Sequence, residues 1–275
     1  MTAPVLGDEQ QRTLRQPAHV SGRGLFTAAE VNATLQPADA GTGVVFRRTD
    51  LPGRPEIAAS VESVVEAPRR TVLRNDDACV ETVEHCLGAL AGLRIDNAVV
   101  ELDGPELPAG DGSAGLFVEA IEAAGIVDQD ASREPIVIEQ PVTVRDGDAT
   151  IAALPNEAAT LELLYQLDYG EGSPVQRQAD SFALDDGTFL ERIAPARTFS
   201  TEAEARAAQQ MGLFRHLTPR DMLVIGESGP IENAYRFDNE PVRHKLLDLL
   251  GDLSLVGRPI HGRIVAFRSG HALNH

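Results

Sequence analysis

His244, Asp248 and Asp252 recur at intervals of four, the spacing that stacks side chains one turn apart along one row of a helix. A histidine and an aspartate so placed can both reach one metal ion, with Asp252 a further turn along and Lys245 at the edge of the row. An earlier stretch is spelled alike. Val83 to Gly92 and Val242 to Gly251 both read V-x-H-x-L-x-x-L-x-G, which puts His85 where His244 stands. Each copy is followed by a β-rich run, at 97–102 and at 262–267. The repeat suggests a duplicated α+β unit in which each half offers a histidine from an equivalent helix. A polar row opposite a leucine row also fits an ordinary surface helix, a lone histidine is more often packed than ligating, and Glu84 suits a first turn through the helix dipole alone.

The helix carrying His244 is expected over 240–253. Asn239 is a capping type, Pro241 suits a helix start, where a backbone N–H would be unpaired anyway, and Val242, Leu246, Leu249, Leu250 and Leu253 make one apolar stripe at about 100° per residue. The helix carrying His85 is expected over 81–93, with Val83, Leu87 and Leu90 inward and Gly88 and Ala89 leaving space beside the imidazole. Strands dominate before it. Two are expected within 12–35 around Gly22-Arg23-Gly24, one at 44–48 with Arg47 and Arg48 exposed, and others at 57–65 and 71–73. After the turn-rich run 103–113, Ser113 is placed to cap a helix whose buried face is Leu116, Phe117, Ala120 and Ile121.

Residues 125–135 are polar and broken by glycine and proline, so the domain boundary is set there: 1–10 disordered, 11–126 the first domain, 127–275 the second. Strands are expected again at 136–138, 149–153 and 160–167. Arg197-Thr198-Phe199 is read as closing a strand and 201–211 as a helix, and Met211, Leu213, Phe214 and Leu217 form an apolar end that is either core or the lining of a greasy passage.

With 275 residues, 43% of them hydrophobic, the chain is long enough for two cores. It shows no membrane-length apolar run and no signal-peptide pattern, so it is expected in the cytoplasm, without stable membrane insertion. A formal charge of −18 repels nucleic acid and anionic lipid at long range. Cys79 and Cys86 form no C-x-x-C pair and read as reduced, buried thiols.

Thr82-Val83-Glu84-His85, the run from Ala89 to Ala98, Asp111-Gly112-Ser113-Ala114, Ala196-Arg197-Thr198-Phe199, the run from Val242 to Asp248, and the run from Ser269 to Asn274 stand in one order along the chain. Together they resemble the signatures of the UDP-3-O-acyl-N-acetylglucosamine deacetylases, zinc amidases of lipid A synthesis, from about Gln11 onward. The resemblance implies two domains, each a β-sheet layered with two helices, packed so that the helices of both halves face each other across the site. It implies His85, His244 and Asp248 as zinc ligands, Glu84 as general base and His271 as general acid. Lys245, Asp252, Thr198 and Phe199 match positions that assist the chemistry or hold substrate. The implied partner is a UDP-linked acylated amino sugar, and the implied state a monomer.

That chemistry suits the residue types. Two imidazoles and a carboxylate leave a metal position open for water, whose pKa zinc brings down to roughly 7; ferrous iron fits the same donors. Glu84 would take the water's proton, zinc with Thr198 and Lys245 would stabilise the oxyanion, and His271, oriented by Asp252, would donate to the leaving amine.

The chain departs from the family pattern at Phe26, where histidine follows Gly-x-Gly-Leu, at Ser200-Thr201, at Pro108-Ala109-Gly110, and in how soon it stops after His271. These substrate-side differences keep open a metal-dependent deacetylase of another acetylated amino sugar; the other alternative, a non-catalytic binding module of the same fold, would need damage to the ligands or to Glu84, and the sequence shows none.

Overall fold

The structure is a computed structural model that describes residues 9–184 and 187–275. Of the segment expected to be disordered, 1–8 lies outside the described residues, whereas Glu9 pairs with Arg94 and Arg133 and Gln10 opens the first strand. The first half runs β1 (Gln10–Leu14), β2 (Ala18–Arg23), β3 (Glu30–Pro37), β4 (Val44–Arg48), β5 (Glu56–Ala58), β6 (Val64–Val65), β7 (Val72–Asn75) and β8 (Ala78–Glu81). Helix α1 (Glu84–Gly92), β9 (Ala98–Leu102) and helix α2 (Gly115–Ala124) complete it, and β10 (Ile126–Ser132) leads from it into the second half. The second half runs β11 (Ile136–Val137), β12 (Val142–Asp146), β13 (Ala149–Leu154), β14 (Leu161–Leu167), β15 (Gln178–Ala183) and β16 (Phe199–Thr201). It continues with α3 (Glu202–Gln210), β17 (Leu223–Gly226), β18 (Gly229–Pro230), α4 (Glu240–Leu253), β19 (Ile260–Phe267) and α5 (His271–Asn274).

The two principal sheets have one topology. The first has the order β2-β3-β9-β4-β5 and the second β12-β13-β19-β14-β15, with β11 beside β19. In each the central strand pairs antiparallel with one neighbour and parallel with the other, β9 with β3 and β4, β19 with β13 and β14. The duplication suggested by the short sequence repeat therefore extends to whole sheets, and the fold is α+β. Alternation explains the sheet faces: Val31, Ala33 and Leu35 of β3 and Leu161, Leu163, Tyr165 and Leu167 of β14 point inward and are buried.

Helix α4 has the expected bounds, although Asn239 makes no side-chain cap. Its leucine stripe is buried as expected, with Leu253 partly so. The opposite row is buried too, His244 at 2%, Asp248 at 4% and Asp252 at 2% exposure, because α1 packs across it. The surface-helix reading is thereby excluded. At the crossing, a Cβ on Gly251 would run into the Glu84 backbone carbonyl, and one on Gly88 would come within 2.7 Å of Leu247 Cδ1. Gly88 thus serves helix–helix contact.

Other expectations need correction. Helix α1 starts at Glu84 and not at 81, since 78–81 forms β8 and Thr82 at φ 57° turns the chain between them. Arg48 is buried, held by Asp50 and the Cys79 carbonyl. The polar stretch 126–132 is a strand paired antiparallel with β1. Ala114, not Ser113, stands at the N-cap of α2, although the Ser113 hydroxyl accepts from the Gly115 amide at 3.1 Å. Val118 and Ala124 join Phe117 and Ile121 on its buried face, while Leu116 and Ala120 are half-buried. Phe199 opens a strand, and Thr201 caps α3 in a reciprocal pair with Glu204. Met211 and Leu213 are exposed and not core.

Candidate active site

The crossing of α1 and α4 brings His85, His244 and Asp248 together. One donor atom from each lies within 4.8 Å of the others, with His244 Nε2 3.2 Å and His85 Nε2 3.6 Å from Asp248 Oδ1. His244 Nδ1 faces the Ala196 carbonyl at 3.1 Å, which keeps the proton on that nitrogen and turns the Nε2 lone pair toward the carboxylate. Asp248 Oδ1 is buried with no hydrogen-bond donor among the described residues, a costly state for a carboxylate oxygen. A cation there would satisfy it, and two imidazoles with one carboxylate are the donor set of zinc or ferrous iron. Lys245 Nζ donates to Asp248 Oδ2 at 2.7 Å, so only Oδ1 is left to face the imidazoles.

Glu84 precedes His85 at the first turn of α1 and is 3% exposed. Burial pushes its carboxyl above the ordinary value, against the pull of His271 and His85. Its Oε2 accepts from the Thr71 amide at 3.1 Å. On the second half, His271 Nδ1 faces Asp252 Oδ2 at 2.8 Å. Burial opposes charge on this imidazole, but Asp252 outweighs it and the pKa rises to about 9. Burial likewise opposes the Asp252 charge, yet His271 holds the carboxyl below its usual range. Asp248 is held well below its own despite burial, by His244 and Lys245, and Asp248 in turn raises Lys245.

Phe199 stands with its ring centroid 6.4 Å from that of His244, edge on, and 5.8 Å from Tyr169. Thr198, half-buried, donates its amide to the Gly112 carbonyl at 2.7 Å, which ties the Arg197-Thr198 stretch to the Asp111-Gly112-Ser113 loop. Every residue singled out from the sequence is thus placed: His85, His244 and Asp248 in one cluster, Glu84 beside it, Lys245 on Asp248, His271 on Asp252, Thr198 just before β16 and Phe199 as its first residue.

Sequence reasoning assigned nothing to Thr71, Asn274 or His275. The Thr71 hydroxyl donates to Asp252 Oδ1 at 2.6 Å, Asn274 Nδ2 to Oδ2 at 2.8 Å, and His275 Nε2 lies 3.4 Å from Oδ1. His275 follows His271 by four residues, a spacing that points to it. Thr71 carries no comparable signal, being 181 residues from Asp252 in the chain.

The profile of the UDP-3-O-acyl N-acetylglycosamine deacetylases matches residues 11–275. The chain belongs to this family. A UDP-3-O-acyl-N-acetylglucosamine deacetylase of Myxococcus xanthus (strain DK1622) is 42% identical over 266 residues, 96% of this chain and 84% of the relative. One from Thermosynechococcus vestitus (strain NIES-2133 / IAM M-273 / BP-1) is 41% identical over 264 residues, 96% and 91% of the two chains. One from Chlamydia felis (strain Fe/C-56) is 38% identical over 268 residues, 97% and 95%. Phe26 makes an edge-on contact with Phe214, ring centroids 5.0 Å apart, and the Arg70 guanidinium sits 4.0 Å over its ring. Among the described residues no helix is long and apolar enough to cross a membrane.

Proposed function

We propose that the chain hydrolyses the N-acetyl group of UDP-3-O-acyl-N-acetylglucosamine, giving acetate and UDP-3-O-acyl-glucosamine in lipid A synthesis. The single observation that carries this is the buried His85–His244–Asp248 cluster with its unpartnered carboxylate oxygen, in a member of a deacetylase family. Zinc, or ferrous iron, held by these three residues would supply a Lewis acid for the amide carbonyl and the attacking water.

The chain's own groups take the remaining steps. Glu84 accepts a proton from the attacking water, and burial, which raises its carboxyl pKa, makes it a stronger base than an exposed carboxylate. The Lys245 ammonium and the Thr198 hydroxyl assist the negative oxygen that develops on the acetyl carbon. His271, kept charged by Asp252, donates a proton to the sugar nitrogen as the C–N bond breaks, so that acetate and the free amine leave. Phe199 walls the substrate beside His244, and the exposed Met211 and Leu213 offer apolar surface to the acyl chain. The division at 126/127, a cytoplasmic location and a monomeric state belong to the same proposal.

A second reading, a deacetylase for another acetylated amino sugar, is favoured by the Phe26–Arg70–Phe214 cluster where the family pattern has histidine. The test is acetate release by zinc-loaded protein from UDP-3-O-acyl-N-acetylglucosamine and from the same nucleotide sugar without its acyl chain. Release from the acylated substrate is expected. Release only from the unacylated one would establish the second reading, and release from neither a binding module.

A further inference from the structure

Thr71 is fully buried where the chain enters β7 and belongs to the first half, yet it touches the proposed base of its own half and the acid's carboxylate partner of the other. Its backbone amide donates to Glu84 Oε2 at 3.1 Å, and its hydroxyl donates to Asp252 Oδ1 at 2.6 Å. The same hydroxyl oxygen lies 3.2 Å from His271 Nδ1 and 3.2 Å from His275 Nε2. A hydroxyl has one proton and two lone pairs, so with the proton on Asp252 the lone pairs are left for imidazole N–H groups. Asp252 Oδ2 is shared by His271 Nδ1 and Asn274 Nδ2, each at 2.8 Å. Thr71 is therefore the group that turns the carboxylate so that Oδ2 faces the acid, and removing it would leave Oδ1 with only the 3.4 Å approach of His275.

We infer that Thr71 is a positioning residue that ties the two proton-transfer groups together across the seam between the halves, its amide setting the Glu84 carboxylate and its hydroxyl setting the Asp252–His271 pair. The inference rests on the deacetylase reading above for the roles of Glu84 and His271. Its geometry rests on no catalytic assumption. A hydrogen bond to a buried carboxylate is among the stronger neutral-donor bonds, so loss of the hydroxyl should disturb the pair measurably.

The experiment compares the full chain, zinc-loaded, with Thr71→Val, Thr71→Ala and Thr71→Ser. Valine keeps the shape and removes the hydroxyl, alanine removes both, and serine keeps the hydroxyl while losing a methyl. With wild type active, Thr71→Val is expected to lower kcat about ten- to a hundred-fold, part of what a positioned acid supplies, with KM nearly unchanged, and Thr71→Ser to restore most of it. Thr71→Ala replaces valine in the comparison if the valine protein does not fold. A readout independent of turnover is the downfield Nδ1 proton resonance of His271, assigned by its loss in His271→Gln. It should be present in wild type and Thr71→Ser, and broadened by water exchange in Thr71→Val.

Wild-type kcat and an intact resonance in the hydroxyl-free variants would overturn the inference, as would a serine variant no better than valine or a wild-type protein lacking the resonance. An inactive wild type whose resonance responds as described would instead overturn the deacetylase reading and leave the positioning role standing.

Discussion

Arg197 and Glu240 form a buried ion pair at the head of α4, with Nε 2.7 Å from Oε1 and Nη2 3.0 Å from Oε2. The same carboxylate accepts from the backbone amides of Arg197 and Arg236, at 3.1 Å and 2.8 Å. Because the Ala196 carbonyl that meets His244 Nδ1 belongs to the peptide whose N–H Glu240 accepts, this pair also holds the histidine's orientation. Glu240→Ala would leave two amides unpaired and a buried guanidinium without its counter-charge, held only by the Asn233 side chain and the Ala234 carbonyl. A loss of about 3–5 kcal/mol in urea denaturation is expected, with metal affinity reduced about ten-fold or more. An unchanged denaturation midpoint would refute it.

Glu84 and His85 are neighbours in sequence with separate proposed roles. Glu84→Ala should leave metal content, measured by elemental analysis, as in wild type while deacetylation falls about a hundred-fold or more, the scale of a lost general base. Metal loss in this variant would mean that Glu84 is a ligand.

The pH dependence follows from His271. Asp252 outweighs the effect of burial and pushes its pKa up from 6.5 to about 9. As the proposed acid, His271 must carry its proton, so activity should fall as pH rises through about 9, and His271→Gln should abolish that alkaline limb along with most turnover. The same group is linked to stability. A folded-state pKa above the unfolded value contributes stability that is complete below about pH 6.5 and lost as pH climbs through about 9, of order 3 kcal/mol at roughly 1.4 kcal/mol per pKa unit. Chemical denaturation at pH 6 and at pH 9.5 should show this difference shrinking in His271→Gln; equal pH sensitivity in both proteins would count against it.

Gly251→Ala tests the helix crossing. The added methyl would meet the Glu84 backbone carbonyl, so α1 and α4 must separate at the turn that carries Glu84. A destabilisation of about 1–3 kcal/mol is expected. Activity should fall further than stability predicts, because Glu84 moves with its backbone. Wild-type stability together with wild-type kcat would show that the crossing tolerates the methyl.

What the sequence determined by itself was local. The bounds 240–253 followed from Pro241 and the leucine stripe, and His244 with Asp248 from an interval of one helical turn, since both depend only on residues a few positions apart. The V-x-H-x-L-x-x-L-x-G repeat announced the duplication for the same reason. Strands whose partners are distant were less legible. The polar segment 126–132 reads as a linker because its pairing with β1 lies more than a hundred residues away, and Val142–Asp146, exposed along its whole length, shows no inward face to alternate with an outward one.

Tertiary structure alone decided whether the polar row of α4 would be solvated or enclosed. The row His244, Asp248 and Asp252 looks the same on paper in either case. Packing of α1 across it at Gly88 and Gly251 removes water, and groups that water would have satisfied must then find partners in one another, in Thr71, or in a cation. Thr71 took its part through a 2.6 Å bond to a residue 181 positions away, a relationship that no local spacing encodes.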